Sequence, residues 1–193
     1  MARQKEFDRD EVLHKAMEVF WSRGYEGASI QDLVQHMGVN RQSIYDTFGD
    51  KHSLFLEALD RYREIQSRTV FEVLERPGSM KRNLRLLFEE AVARSLSVEG
   101  RRGCFVGNSM SELAGRCKAT ADRTCSSVAS AEKIFRRALE RGREQGELSR
   151  VWDTRAVARF LYCNLQGVLL LAKATGDRKL LSDVVKVTLS VLD

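Results

Sequence analysis

The chain has 193 residues, 43% apolar and 31% charged, with 13 glycines and one proline. That composition excludes a low-complexity or disordered chain and leaves enough apolar material for one large or two small cores. The formal net charge of +5 and pI near 9.2 invite a nucleic-acid partner, but residues 1–63 carry nine Lys/Arg against eleven Asp/Glu, a net of −2 that leaves +7 for residues 64–193, so any DNA contact in the first third must come from a few positioned side chains.

The N-terminal MARQKEFDRDE has no apolar core region and no small-residue cleavage site, so it does not read as a secretory signal, and the protein is expected in the cytoplasm. Apolar residues recur at spacings of three and four rather than alternating, and no period of 20–50 residues is visible, so the whole chain reads as all-α. Asp8 with Glu11 forms the first helix start, Val12, Leu13, Ala16, Met17 and Phe20 share a face, and Gly24 ends the helix. Ser29 and Asp32 repeat the cap spacing ahead of Ile30, Leu33, Val34 and Met37, and Gly38 stops the second helix where a left-handed residue is easiest. Asn40 caps a short third helix whose inward residues are only Ile44 and Phe48, and Gly49–Asp50 break it and start a fourth. Two helices joined by a short glycine-containing turn form a helix-turn-helix.

A recognition helix must pack by a narrow apolar edge and carry hydrogen-bonding groups on the rest of its surface. Arg41, Gln42, Ser43, Tyr45 and Thr47 supply such groups. Arginine suits guanine, glutamine suits adenine, and Tyr45 offers a hydroxyl to a phosphate. Lys51 falls in the first turn of the fourth helix, beside amides that already favour an anion. The bland alternative is a solvated surface helix of an unrelated bundle.

The run from Glu11 to Phe20 and then GYEGASIQDLVQHMGVNRQSIYDTFGDKHSLFLEALDRY resembles the DNA-binding domain of the TetR family of transcriptional regulators over about residues 8–62. The most specific parts are the Gly24–Tyr25 turn, the Ser29–Ile30 start, the Gly38–Val39 turn and IYDTFGDK. The resemblance implies phosphate contacts at Ser29, Tyr45 and Lys51 and base reading at Arg41 and Gln42; with Asn40, Ser43 and Thr47 these complete the candidate DNA-binding set. Asp46 departs from the family pattern and would repel the DNA backbone unless it accepts a cytosine amino group or faces away. The implied architecture is an N-terminal three-helix helix-turn-helix domain, residues 1–50, followed by a helical ligand-binding and dimerisation domain, residues 51–193, joined by the helix starting near residue 51.

Beyond Tyr62 a long fourth helix is expected to reach Pro77–Gly78, and Leu84, Leu87, Phe88 and Ala91 mark the next. GCFVGNSMSEL begins a helix, residues 119–144 form a longer one closed by Gly146, Thr154 caps one running to about Thr175, and Asp177 opens the last. The total is nine or ten. Within the penultimate helix FLYCNLQGVLLLA spans thirteen residues between Arg159 and Lys173, too short for a bilayer that needs about 20 apolar residues, so no membrane is expected.

Two stripes exceed what one internal contact requires: Ala131, Phe135, Ala138 and Leu139, and Val157, Phe160, Leu161, Leu165, Val168, Leu169 and Ala172. The family resemblance implies a homodimer joined through the last long helices, with the two recognition helices matched to a two-fold operator in double-stranded DNA; core packing within a monomer is the alternative. It also implies an unknown small-molecule effector that shifts the recognition helices out of register. Phe71, Phe88, Phe105, Met110 and Tyr162 are candidates for an apolar effector pocket, although such residues also serve as plain core.

Cys104 follows Arg101 and Arg102, and Cys117 lies between Arg116 and Lys118; neighbouring cations and helix starts make thiolates more reactive. Cys117 and Cys125, eight apart, are expected on one face. The RGCF start is similar to a TetR subgroup that includes thiol-reactive and metal-responsive sensors, which makes Cys104, Cys117 and Cys125 candidate sensors. Disulfides are not expected in a cytosolic chain. His14, His36 and His52 show no metal-binding spacing, and no phosphate loop, nucleophile elbow or HExxH occurs, so neither metal, cofactor nor enzymatic activity is expected. The sequence thus reads as a ligand-responsive DNA-binding regulator, most simply a repressor; the alternative is a helical small-molecule-binding protein without operator binding.

Overall fold

The computed structural model describes residues 7–97, 100–148 and 153–193; residues 1–6 of the N-terminal stretch read above as no signal peptide lie outside them. Among the described residues there are nine α-helices and no strand: α1 Arg9–Gly27, α2 Ile30–Met37, α3 Arg41–Phe48, α4 Lys51–Leu74, α5 Met80–Ser95, α6 Phe105–Ser109, α7 Lys118–Glu144, α8 Thr154–Thr175 and α9 Arg178–Leu189.

The first four helices begin where side chains can take up their orphan amides. Asp8 accepts from the amides of Asp10 and Glu11 at 2.8 and 3.2 Å. Ser29 and Asp32 form a reciprocal capping box at the start of α2, Asn40 accepts from the Ser43 amide at 2.8 Å, and Asp50 from that of Ser53 at 2.6 Å. Each such cap stabilises its helix by about 1 kcal/mol. At Gly24 (φ 75°, ψ 175°) the helical path of α1 breaks, and a further turn runs to Gly27. At Gly38 (φ 72°) α2 ends in the left-handed conformation and its amide bonds the Val34 carbonyl.

Further along, α8 is capped by Asp153, which accepts from the Arg155 amide at 2.9 Å, and Thr154 is its first helical residue. A carboxylate next to a threonine wins this position because it both accepts the bond and meets the positive end of the helix dipole. The GCFV segment starts only the short α6, which runs into a single widened turn at Met110–Ala114.

Two apolar cores meet along α4. The first gathers α1 to α3 around Phe20, Leu33, Ile44 and Phe55, and includes Phe105, Val106 and Leu113 from α6 and the widened turn. The second joins the end of α4 to α5, α7, α8 and α9 around Leu74, Phe88, Phe135 and Leu161. Each wholly buried side chain of this size stabilises the fold by about 1.5–3 kcal/mol. No helix among the described residues is long and apolar enough to cross a membrane.

Candidate nucleic-acid interface

The third helix presents its polar face outward. Ile44 and Phe48 are buried beneath it, Arg41 and Gln42 are exposed, and Ser43, Tyr45 and Thr47 lie half-buried along its edges. Arg41 donates to the Tyr45 hydroxyl at 3.3 Å, and its guanidinium lies 5.6 Å from the centre of that ring. Gln42 Nε2 donates to Asp46 Oδ1 at 2.7 Å. That bond gives Asp46 a role: its carboxylate orients the amide of the side chain one turn earlier, which partly answers the repulsion expected of an acid here.

Lys51, at the start of α4, holds its ammonium 4.5 Å from the centre of the Tyr25 ring, a cation–π contact that aims the lysine along the same surface. Tyr25 also packs edge-on against His52 (5.6 Å between centroids) and Phe55 (5.1 Å). Ser29 is exposed, but its hydroxyl is already engaged: it donates to Asp32 at 2.6 Å and accepts from the Asp32 amide at 3.1 Å. The Ser29 hydroxyl first, and then its amide, hold the Asp32 carboxyl below its ordinary pKa, with Arg23 adding to this. Arg23 reaches Asp32 at 2.5 Å and is an exposed cation beside the cap. The sequence reading named Tyr25 only as part of the Gly24–Tyr25 turn and missed Arg23; a basic and an aromatic residue flanking a helix-ending glycine were the available signal.

It missed Glu112 as well. From the widened turn after α6, Glu112 accepts the Tyr25 amide at 3.0 Å and the Glu26 amide at 2.9 Å. These are the donors exposed where α1 breaks at Gly24, and a Cβ on Gly24 would lie 2.8 Å from the same carboxylate. A residue 87 positions away therefore fixes the backbone of the residue whose ring carries Lys51. No local pattern announces such a contact.

The effector and sensor candidates do not form one site. Cys104 and Tyr162 line a cavity of about 70 Å³ together with Tyr62, Gln66, Phe135 and Gln166. Burial pushes the Tyr62 and Tyr162 hydroxyls well above the ordinary phenol pKa. Phe88 and Phe105 are core residues, one in each cluster, and Phe71 is exposed beneath the Arg137 guanidinium. Met110 lines an open cleft between α1, α6 and α8 that shares Cys104 and Gln166 with that cavity, and Cys125 is exposed. Cys117 lies just outside α7 as its cap residue and faces His52 of α4 instead of the cavity. Cys117 lies before the first helical turn with extended backbone, while Cys125 is exposed about 12 Å further along α7.

The expected dimer stripes are largely used inside the chain. Phe135, Leu139, Val157, Leu161, Leu165 and Val168 are buried in the second core, and Leu169 packs partly against it, so none of the six can also face a partner; Phe160, 45% exposed, is the exception. The outer side of α8 adds Leu170 and Leu171, and α9 adds Val187, as exposed apolar side chains. Periodicity marks α8 as apolar on a wide arc and cannot tell which part of it meets the chain's own core.

A compact helical head that turns a short polar helix outward between a capped turn and a lysine-bearing helix start defines a helix-turn-helix DNA-binding protein. Comparison with known families agrees. Residues 12–58 match the model of bacterial regulatory proteins of the tetR family, and residues 79–188 match the tetracyclin repressor-like C-terminal domain. The chain is 42% identical to an uncharacterized HTH-type transcriptional regulator, YezE, of Bacillus subtilis (strain 168), over 100% of both chains. It is 30% identical to the HTH-type transcriptional repressor ComR of Escherichia coli (strain K12), over 97% of this chain and 90% of that one. Among solved structures, a cysteine-substituted form of the TetR family regulator CifR complexed with 26-base-pair operator DNA is 34% identical, with a TM-score of 0.85 over 100% of both chains. The protein belongs to the TetR family of transcriptional regulators.

Proposed function

We propose that the protein is a repressor that binds a two-fold operator as a homodimer in the cytoplasm and is released by a small-molecule or thiol-reactive effector. The observation that carries this reading is α3 itself: Arg41 and Gln42 stand exposed on a helix anchored only by Ile44 and Phe48, with Gln42 already oriented by Asp46. In this reading Arg41 and Gln42 meet bases, Tyr45 and Lys51 meet phosphates, and Ser29, Asn40, Ser43 and Thr47 border the contact. Residues 1–50 form the DNA-binding unit, and residues 51–193 serve effector binding and dimerisation. Among the described residues, four of the seven exposed large apolar side chains, Phe160, Leu170, Leu171 and Val187, lie on α8 and α9, which favours those helices as the face between protomers. The cavity beside Cys104 is the proposed entry point for the effector.

Footprinting on the intergenic DNA next to the protein's own gene tests the reading. A protein that retards no such DNA even at low salt would instead be a helical small-molecule-binding protein. Lys51→Ala is expected to weaken binding to all sequences alike and to lower the slope of log affinity against log salt by about one, because one phosphate loses its cation. Gln42→Ala is expected to cost about 1–3 kcal/mol on the preferred site and to relax discrimination at one base pair; a binding-site selection that returned an unchanged preference would remove Gln42 from the readout.

A further inference from the structure

We propose that Asp46 is a specificity-determining residue of the DNA contact: by spending one donor of the Gln42 amide and fixing which way that amide faces, it makes Gln42 accept adenine and reject guanine. The proposal rests on the DNA-binding reading above and goes beyond it by assigning the discrimination to a residue that need not touch the base itself.

Gln42 and Asp46 stand one turn apart on α3, both exposed, and Gln42 Nε2 donates to Asp46 Oδ1 at 2.7 Å. A glutamine amide has a donor end and an acceptor end, and an isolated one presents either to a base. A carboxylate only accepts, so the amide can turn only its nitrogen toward Asp46. The bond is charge-assisted and therefore stronger than one between neutral groups. It consumes one of the two Nε2 hydrogens. One donor is left for a base, the second Nε2 hydrogen, beside one acceptor, Oε1.

That pair complements a single purine edge. In the major groove adenine offers N7 as acceptor and the N6 amino group as donor, whereas guanine offers two acceptors, N7 and O6. A glutamine with both Nε2 hydrogens free meets guanine by donating twice. Gln42 has only one to give, and its Oε1 would lie against O6. The second Asp46 oxygen has no partner among the described residues; it too only accepts, and its charge adds to the penalty against O6. Arg41 differs: it gives one hydrogen to the Tyr45 hydroxyl and keeps further donors for guanine. Adjacent residues at the start of α3 thus carry opposite purine preferences. An i,i+4 pair that served the helix alone would add a little stability and leave base preference untouched.

The test selects binding sites from random duplex DNA with the wild type, Gln42→Ala, Asp46→Asn and the double variant. Affinities are then read by fluorescence anisotropy on two duplexes that differ only by adenine or guanine at the position Gln42→Ala relaxes. Asp46→Asn keeps the shape but supplies a donor as well as an acceptor, which frees the Gln42 amide to turn over. The expected result is a wild-type preference for adenine that falls roughly tenfold in Asp46→Asn, about the worth of one paired contact. The ratio of the two affinities cancels the general gain from removing a negative charge. In the Gln42→Ala background Asp46→Asn should leave the ratio unchanged, because the two residues act in series. A ratio unmoved by Asp46→Asn, an equal change with and without Gln42, or a wild-type preference for guanine at that position would overturn the proposal while leaving operator binding intact. A wild type that enriches no sequence would instead remove the DNA-binding reading, and this assignment with it.

Discussion

Phe105→Ala is expected to lower the unfolding free energy by about 3–5 kcal/mol, as large-to-small changes at wholly buried aromatic sites do. The Phe105 ring is 1% exposed and stands edge-on to Phe55 at 5.8 Å and to Tyr62 at 5.7 Å. Phe55 in turn packs edge-on against Phe20 at 5.4 Å, so truncation opens a cavity at the centre of the helix-turn-helix core and also withdraws the anchor of α6. Phe105→Leu, which keeps most of the volume, should cost far less. Urea denaturation followed by circular dichroism checks both variants. A loss below about 1 kcal/mol for Phe105→Ala would mean that α6 is not part of that core and that the cavity collapses freely.

Glu112→Ala is expected to have the second largest effect, costing about 1–3 kcal/mol of stability because two backbone amides lose a charged acceptor. It should also weaken operator binding, although Glu112 lies outside the helix-turn-helix. Its carboxylate holds the Tyr25 and Glu26 amides, and the Tyr25 ring positions Lys51. The decisive measurement is a double-mutant cycle on operator affinity between Glu112→Ala and Lys51→Ala. Residues that act in series give non-additive losses, so strictly additive losses would show that the carboxylate does nothing for the lysine. Glu112→Gln, which retains one acceptor oxygen, should fall between wild type and alanine.

Placed together, Phe105 and Glu112 describe how the two parts of the protein are joined. Both come from the segment between α5 and α7, and one enters the N-terminal core while the other fastens its backbone. A widened helical turn, Met110–Ala114, links them, and such turns often sit at functional positions. Any effector that shifts α6 is therefore mechanically connected to the end of α1.

The sequence itself determined much of this protein. Asp8, Ser29, Asn40 and Asp50 are read correctly as caps because capping is a contact within three residues, and Ile44 and Phe48 as the buried edge of α3 because helical periodicity is local. The family follows from the same local signals. The sequence also supplied the polar face of α3, whose assignment to DNA rests on chemistry that each side chain carries alone. What only the tertiary structure decided are the partners across the chain: Glu112 on the Gly24 break, Cys117 against His52, Phe105 in the core instead of a pocket, and the α8 stripe turned inward. A repeat of apolar residues states that a face must be covered without stating by what. Contacts between residues many positions apart depend on where whole helices are packed, and that packing is settled by the mutual fit of all of them at once.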